Sequence, residues 1–277
     1  MVLPNFLGLG AQRSGTTWLH QQLNNHPNIY VPQKRKEIHF FDKYYHKGFN
    51  WYESFFPSES LATKYSCIGE ITPMYIYDPE VPKRIKQDLP DCKFIAILRN
   101  PADRAYSQYA YRVQNRLERR TFSQLLAEDT ELYQRGLYGE QLKRYLDIFP
   151  PEKFLILIFE ETIKQPEEAL RKLGNFLDID SREFPLDKTQ EKVNSSRLVR
   201  FAKPYVWARQ CAVWLKERDL DWVFNTAKAI GFRKELFGTE GTLSRIDPDI
   251  RQDLLGKYRQ DIIELEQILG RKILIWS

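Results

Sequence analysis

The chain has 277 residues and carries 42 basic against 37 acidic side chains, a net charge of +5. That length suits one large α/β domain or one domain with helical additions, and 42% hydrophobic residues suffice for a real core. The mild positive surplus fits an anionic cofactor or acceptor but gives no reason to expect nucleic acid; no apolar run nears 18 residues, so no membrane span is expected; and three scattered cysteines (Cys67, Cys92, Cys211) suggest neither a zinc site nor a disulfide framework.

The first element is a short apolar strand, Phe6 to Leu9, followed by a helix from about Thr16 to Asn24. Between them, Gly10, Gly15, Thr16 and Thr17 fall on the phosphate-loop template G-x-x-x-x-G-K-[ST], with Thr16 where the lysine belongs. A positive charge stands earlier, at Arg13. The free N–H groups and dipole of the helix favour an anion in the loop. The usual lysine and its hydroxyl neighbour serve a magnesium-bound β,γ-phosphate. Their rearrangement suits a ligand with one phosphate there and a different leaving group. Ser14 and Thr16 also read as ordinary helix caps.

A short strand is expected at Asn28–Val31, then loops and short helices over 33–66. Nine aromatic residues crowd one stretch of that region: Phe40, Phe41, Tyr44, Tyr45, Phe49, Trp51, Tyr52, Phe55 and Phe56. Most read as local core, with two or three left for an acceptor cleft. Cys67–Gly69 reads as a short strand, Pro79–Leu89 as a helix, 93–98 as a buried strand, and Pro101 to about Asn115 as a helix. Helices at Thr121–Glu128 and Glu140–Ile148, a strand at Phe154–Phe159 and a helix at Pro166–Leu177 follow. Beyond the polar connection Ser181–Val193, Val199–Lys216 and Asp249–Leu269 look helical. Alternating strands and helices predict an α/β fold, a parallel sheet covered on both faces in three layers. The chain reads as a single domain over 1–277, with an α/β nucleotide-binding core at 1–180 and a mainly helical part at 198–277.

The strand at 93–98 ends in Arg99-Asn100-Pro101, where a nucleotide triphosphatase often carries a metal-binding Asp. Arg99, with Ser107 two turns into the next helix, offers a fork of donors and a hydroxyl to a second phosphate. Two phosphate sites with no evident magnesium ligand suggest an adenosine bearing both 5′ and 3′ phosphates. The rival readings are a P-loop nucleotide kinase or triphosphatase, with Glu160 as a metal ligand, and a non-catalytic nucleotide-binding protein.

Here the chain resembles a known family. Gln12-Arg-Ser-Gly-Thr-Thr-Trp-Leu19 is similar to the 5′-phosphosulfate loop of sulfotransferases, and 94–109 to their 3′-phosphate motif. The likeness continues through Glu37-Ile-His-Phe-Phe-Asp42, Gly69-Glu-Ile-Thr-Pro-Met-Tyr75, Phe154–Glu161 and Tyr258–Glu266. The Glu-x-His-Phe-Phe-Asp run points to the heparan-sulfate-type enzymes and their bacterial relatives. The resemblance implies a P-loop-like fold and sulfuryl transfer; with no His/Asp/Glu/Cys cluster at ligand spacing and no template lysine, the transfer is expected to need no metal. The donor would be 3′-phosphoadenosine 5′-phosphosulfate (PAPS) and the product 3′-phosphoadenosine 5′-phosphate (PAP). The acceptor would be a carbohydrate or small-molecule hydroxyl or amine. With no leader or long apolar run, the setting is expected to be cytoplasmic; since eukaryotic carbohydrate relatives usually carry a membrane anchor, a bacterial enzyme or a trimmed domain is expected.

The resemblance also assigns roles. Arg13 would stand near the bridging oxygen or simply bind phosphate. Ser14, Gly15, Thr16, Thr17 and Trp18 would hold the 5′ phosphosulfate. Arg99 and Ser107 would hold the 3′ phosphate, with Ser196 and Arg197 as candidates to close over it unless they merely start a helix. Glu37 matches the family's catalytic base, and His39 is either the rival base or the residue that holds Glu37. Glu70 is either a second acceptor-side carboxylate or structural. Heparan-type relatives often carry lysine where this chain has Ile71.

Overall fold

The computed structural model describes residues 2–115, 118–184, 197–199, 210–211, 214–215, 217–219, 239–242 and 245–276. Its strands are β1 (Phe6–Gly10), β2 (Ile29–Tyr30), β3 (Cys67–Ile71), β4 (Lys93–Leu98), β5 (Phe154–Ile158), β6 (Arg197–Val199) and β7 (Thr239–Thr242). Helices α1 (Thr16–Asn25), α2 (Gly48–Glu53), α3 (Glu59–Ala62), α4 (Val81–Asp88) and α5 (Pro101–Gln114) come first. Then come α6 (Phe122–Glu128), α7 (Thr130–Gln134), α8 (Tyr138–Leu146), α9 (Phe159–Lys164), α10 (Pro166–Leu177) and a long α11 (Pro248–Leu269).

Five strands form one parallel sheet in the order β2-β3-β1-β4-β5. Both faces are covered, as the near-continuous apolar strands require. On one face Phe6, Ile95 and Ile97 meet Leu19 and Leu23 of α1 and Leu170, Leu173 and Leu177 of α10. On the other, Leu7, Phe94, Ala96 and Leu98 meet Val81 and Ile85 of α4, Leu142 and Tyr145 of α8, and the aromatic residues of 40–56. Each such leucine is fully or almost fully buried, worth about 1.5–3 kcal/mol. The predicted three-layer α/β architecture is therefore the one observed.

The strand order reverses direction at β1. From β1 the chain crosses to the edge strand β2 and steps back inward to β3, then passes over β1 to β4 and β5 on the other side. The crevice beyond the carboxyl end of such a strand is the usual ligand site of an open α/β sheet. The phosphate-type loop lies there.

Helix α11 packs along α8. The Asp261 carboxylate of α11 accepts the N–H groups of Gly139 (3.1 Å) and Glu140 (3.0 Å), so a distant helix caps the start of α8. The tail returns as well: Trp276 is buried in the core, and its Nε1 donates to Glu160 Oε2 at 2.8 Å. Among the described residues no helix is long and apolar enough to cross a membrane.

One expectation fails in this region. A helix was expected over Val199–Lys216; Val199 instead closes strand β6, which pairs antiparallel with β7, while 210–211 and 214–215, among the described residues of that span, are helical. Of the two candidates for closing over a 3′ phosphate, Ser196 lies outside the described residues. The backbone of Arg197 opens β6 rather than a helix.

Candidate active site

The loop is built by its glycines. Gly10 has φ +145°, and a Cβ there would sit 2.7 Å from the Pro73 carbonyl oxygen. Gly15 has φ +97°, and a Cβ there would strike the Phe159 ring at 2.6 Å. Side chains are excluded at both points by conformation and by space. Gly15 is also the N-cap of α1, so no side chain occupies the first-turn amides of Thr16, Thr17 and Trp18. No acidic residue stands in that turn. The result is a concavity of N–H groups at the positive end of a helix, suited to an anion. Ser14 and Thr16 are buried in the cradle, and Trp18 packs against the apolar cluster beneath it. Gln12 is held by a hydrogen bond from Arg135, which pairs with Glu131 at 2.5 Å.

Arg13 takes a left-handed backbone (φ 70°), uncommon for a residue with a side chain. This turns its guanidinium towards α5. Arg13 Nε donates to Ser107 Oγ at 3.3 Å, and the guanidinium lies 4.9 Å from the centre of the Tyr111 ring. Arg99, at the end of β4, donates to the Arg13 carbonyl at 3.4 Å and lies over the Phe159 ring. Arg13, Arg99 and Ser107 thus form one donor cluster beside the loop. A third guanidinium, Arg104, is fully buried behind it and donates to the Leu132 carbonyl. Burial lowers the Arg13 pKa, and the positive charges of Arg99 and Arg104 lower it further against the opposing influence of Tyr111. Such a crowd of cations favours a bound anion.

Asn100 makes this arrangement rigid. Its side chain accepts from the N–H groups of Ala102 and Asp103 and caps α5. Its own N–H donates to Glu160 Oε1 at 2.9 Å. Since Trp276 takes the other oxygen, Glu160 ties β4, α5 and the tail together. The carboxylate considered above as a metal ligand has a structural task.

Facing the loop is the segment 36–42. Glu37 is part-exposed, with Oε2 3.6 Å from His39 Nε2. The other ring nitrogen of His39 lies 2.8 Å from Asp42 Oδ2. Burial alone would push the His39 pKa down, but the bonds to Asp42 and Glu37 outweigh it and raise it to about 9. An imidazolium at neutral pH has no lone pair for an acceptor's proton. His39 thus bridges the Glu37 and Asp42 carboxylates, an arrangement suited to orienting Glu37.

The segment is anchored from below. His39 has φ 59°, and its N–H donates to Thr72 Oγ1 at 3.2 Å. The N–H groups of Phe40 and Phe41 donate to the Tyr75 hydroxyl at 3.0 and 3.4 Å. Tyr75 and Thr72 in turn donate to the two oxygens of Glu70, each at 2.6 Å, and Tyr52 adds a third bond at 3.2 Å. Glu70 is fully buried, so of its two readings the structural one holds. Burial raises its pKa to about 7 against the bonds from Thr72, Tyr75 and Tyr52.

The aromatic stretch is core, as most of it was expected to be. Phe40 stacks on Tyr52 with ring centres 4.3 Å apart. Eight of the nine rings belong to the cluster under α4 and α8 or pack against it; the ninth, Tyr44, lies tilted beside Trp51 with ring centres 5.3 Å apart. Ile71 is buried against Gly8, so that strand position lends no charge to the site. Two groups escaped the sequence reading. Arg104 looked like any helix arginine. Lys36, next to Glu37, carries no local signal of its own, yet its ammonium reaches the loop and donates to Thr17 Oγ1 at 2.8 Å.

Comparison with known proteins agrees with this geometry. The sulfotransferase domain family matches residues 3–200. The membrane-associated sulfotransferase kil1 of Dictyostelium discoideum is 33% identical over 159 residues, covering 55% of this chain and 33% of that protein. Human bifunctional heparan sulfate N-deacetylase/N-sulfotransferase 3 is 32% identical over 196 residues, covering 64% of this chain and 22% of that protein. The chain thus spans a third or less of the length of these curated relatives. The crystal structure of a sulfotransferase from Alicyclobacillus acidocaldarius superimposes with a TM-score of 0.67 at 25% identity, covering 100% of this chain and 99% of that one. With a phosphate cradle lacking its lysine, an arginine at the end of β4 and a family match over most of its length, the chain belongs to the sulfotransferase domain family.

Proposed function

We propose that the chain transfers a sulfuryl group from PAPS to a hydroxyl or amine of a carbohydrate or small-molecule acceptor. The observation that carries this is the convergence of Arg13, Arg99 and Ser107 beside the amide cradle at the end of β1. The cradle suits a 5′ phosphosulfate. Arg99 and Ser107 suit a 3′ phosphate, a group that ATP lacks.

Transfer needs positioning and charge stabilisation more than covalent chemistry from the protein. The acceptor oxygen forms a bond to sulfur while the bond from sulfur to the bridging oxygen breaks. The electron pair of that bond stays on the 5′ phosphate of PAP. Glu37 takes the acceptor's proton, and His39 fixes the orientation of Glu37. The packing of α11 and of Trp276 onto the α/β core supports reading 1–277 as one domain.

The test is calorimetric titration with PAP and with ADP, followed by transfer from sulfur-labelled PAPS to a panel of sugars and alcohols. Tight PAP binding and labelled product are expected. Failure to bind PAP, together with magnesium-dependent hydrolysis of ATP, would return the chain to the kinase reading.

A further inference from the structure

In a phosphate loop of the nucleotide-triphosphatase kind, the hydroxyl that ends the template holds magnesium, and that ion neutralises the phosphates during transfer. Thr17 is that residue here. Its Oγ1 accepts a hydrogen bond from Lys36 Nζ at 2.8 Å, so a fixed ammonium stands against the oxygen that a divalent ion would ligate. Arg13, the cation carried by the loop itself, is turned towards Ser107 and Tyr111 instead. The position of the template lysine is Thr16, which is buried and uncharged.

The surroundings suit a charge that acts on a ligand. Lys36 is half-buried, which strengthens its field relative to a surface lysine. His20, one turn along α1 from Thr17, feels it: burial and the Lys36 charge hold this imidazole down at about 4, hence neutral. The neighbouring negative charge is Glu37, the next residue in the chain. One short segment, anchored through Tyr75 and Thr72, therefore brings both a cation to the loop and a carboxylate beside it.

We propose that Lys36 is a catalytic residue that replaces the loop's magnesium ion: its ammonium neutralises the charge developing on the transferring sulfuryl group and the departing 5′ phosphate. This rests on the sulfotransferase reading above. The step is balanced as before. The acceptor oxygen bonds to sulfur, the bridging S–O bond breaks with its electron pair left on PAP, and the acceptor's proton goes to Glu37. Lys36 stays protonated throughout.

The test compares Lys36→Met, which keeps length without charge, with Lys36→Arg, which keeps charge. Turnover is measured with PAPS and a working acceptor, and PAP affinity by calorimetry. Removing one such preorganised donor typically costs about 10²–10³-fold in kcat. The Met variant should lose about that much while its PAP dissociation constant moves by no more than about threefold, the signature of a transition-state interaction. The Arg variant should recover roughly tenfold or more of the loss. A Met variant with near-normal kcat overturns the proposal. So does a fall in PAP affinity as large as the fall in kcat, and so do equal losses in the Met and Arg variants. A wild-type chain that binds PAP but transfers nothing to any acceptor sinks the parent reading instead, and this one with it.

Discussion

The loop after β1 and the segment 36–42 meet through Thr17 and Lys36, but they are held in place by different means. The loop is shaped by backbone: two glycines at positive φ, a helix start with no side-chain cap, and amides that need no partner until an anion arrives. The segment is shaped by side chains more than 30 positions away in sequence, through the Tyr75 and Thr72 hydroxyls resting on Glu70. A backbone site is pre-organised by conformation and tolerates changes around it. A side-chain site is only as rigid as its hydrogen-bond network. Binding of the donor and activation of the acceptor should therefore be separable by mutation.

The sharpest separation is expected from Glu37→Gln. It keeps size and hydrogen bonding but cannot take a proton. Loss of a general base costs about 10²–10⁴-fold in rate, so turnover should fall at least about a hundredfold while PAP binding stays near normal. His39→Ala should be milder, because an imidazolium bridging Glu37 and Asp42 orients rather than accepts. If the Gln variant turns over normally and His39→Ala is dead, the roles are reversed.

The opposite separation comes from Arg99→Ala. It removes a guanidinium from the cluster beside the loop but touches nothing in 36–42. A lost charge-assisted pair costs about 2 kcal/mol, roughly 30-fold in PAP affinity. Binding of 5′-AMP should barely change if Arg99 meets the 3′ phosphate. Equal losses for both nucleotides would place Arg99 at the 5′ side and merge the two phosphate sites into one.

The same contrast explains what could be read before the fold was known. Phosphate chemistry is written in consecutive residues, so the β1 loop and the Arg99 to Ser107 run were both legible, and β4 and α10 begin and end where expected. The strand order was not legible, because it depends on which apolar strands meet. Nor was the β6–β7 ribbon: Arg-Leu-Val and Thr-Glu-Gly-Thr are too short to show alternation, and they pair across some forty residues. Glu70 looked as eligible for chemistry as Glu37, since burial leaves no mark on a lone Glu in a short strand. Lys36 was hidden for a related reason. Its role is a contact with Thr17, nineteen positions earlier, that no local pattern encodes.

Tyr75→Phe probes the anchoring of the segment directly. It removes a donor to Glu70 and the acceptor for two backbone N–H groups in a fully buried position. Unsatisfied buried groups of this kind cost roughly 1–2 kcal/mol of stability. Turnover should fall with stability while PAP affinity holds, because the loop does not rest on Tyr75. Parallel loss of PAP binding would show that loop and segment are one unit.

The smallest expected effect concerns pH, and it tests whether Glu70 is the structural node proposed for it. Its folded pKa, about 7, lies above the ordinary carboxyl value because burial penalises the ionised form. The unfolded chain releases that proton at the ordinary, lower pH. The Glu70 contribution to stability is therefore fully present below the unfolded value, and it is lost as pH rises towards 7. Between pH 6 and 7 the loss should be on the order of 1 kcal/mol. Glu70→Gln remains neutral throughout and keeps one acceptor oxygen for either the Tyr75 or the Thr72 hydroxyl; it starts less stable, but its unfolding free energy should decline less over that interval than that of the wild type. His39 has the same sign at higher pH, because its folded value near 9 makes its contribution fade as pH rises through 9. Denaturant melts at pH 6, 7 and 9 on Glu70→Gln and His39→Gln separate the two. Parallel wild-type and Glu70→Gln curves between pH 6 and 7 would mean that Glu70 stays ionised when buried. Tyr75, Thr72 and Tyr52 would then be holding a charge in the core rather than a shared proton, and the segment carrying Glu37 would rest on electrostatics instead of a neutral network.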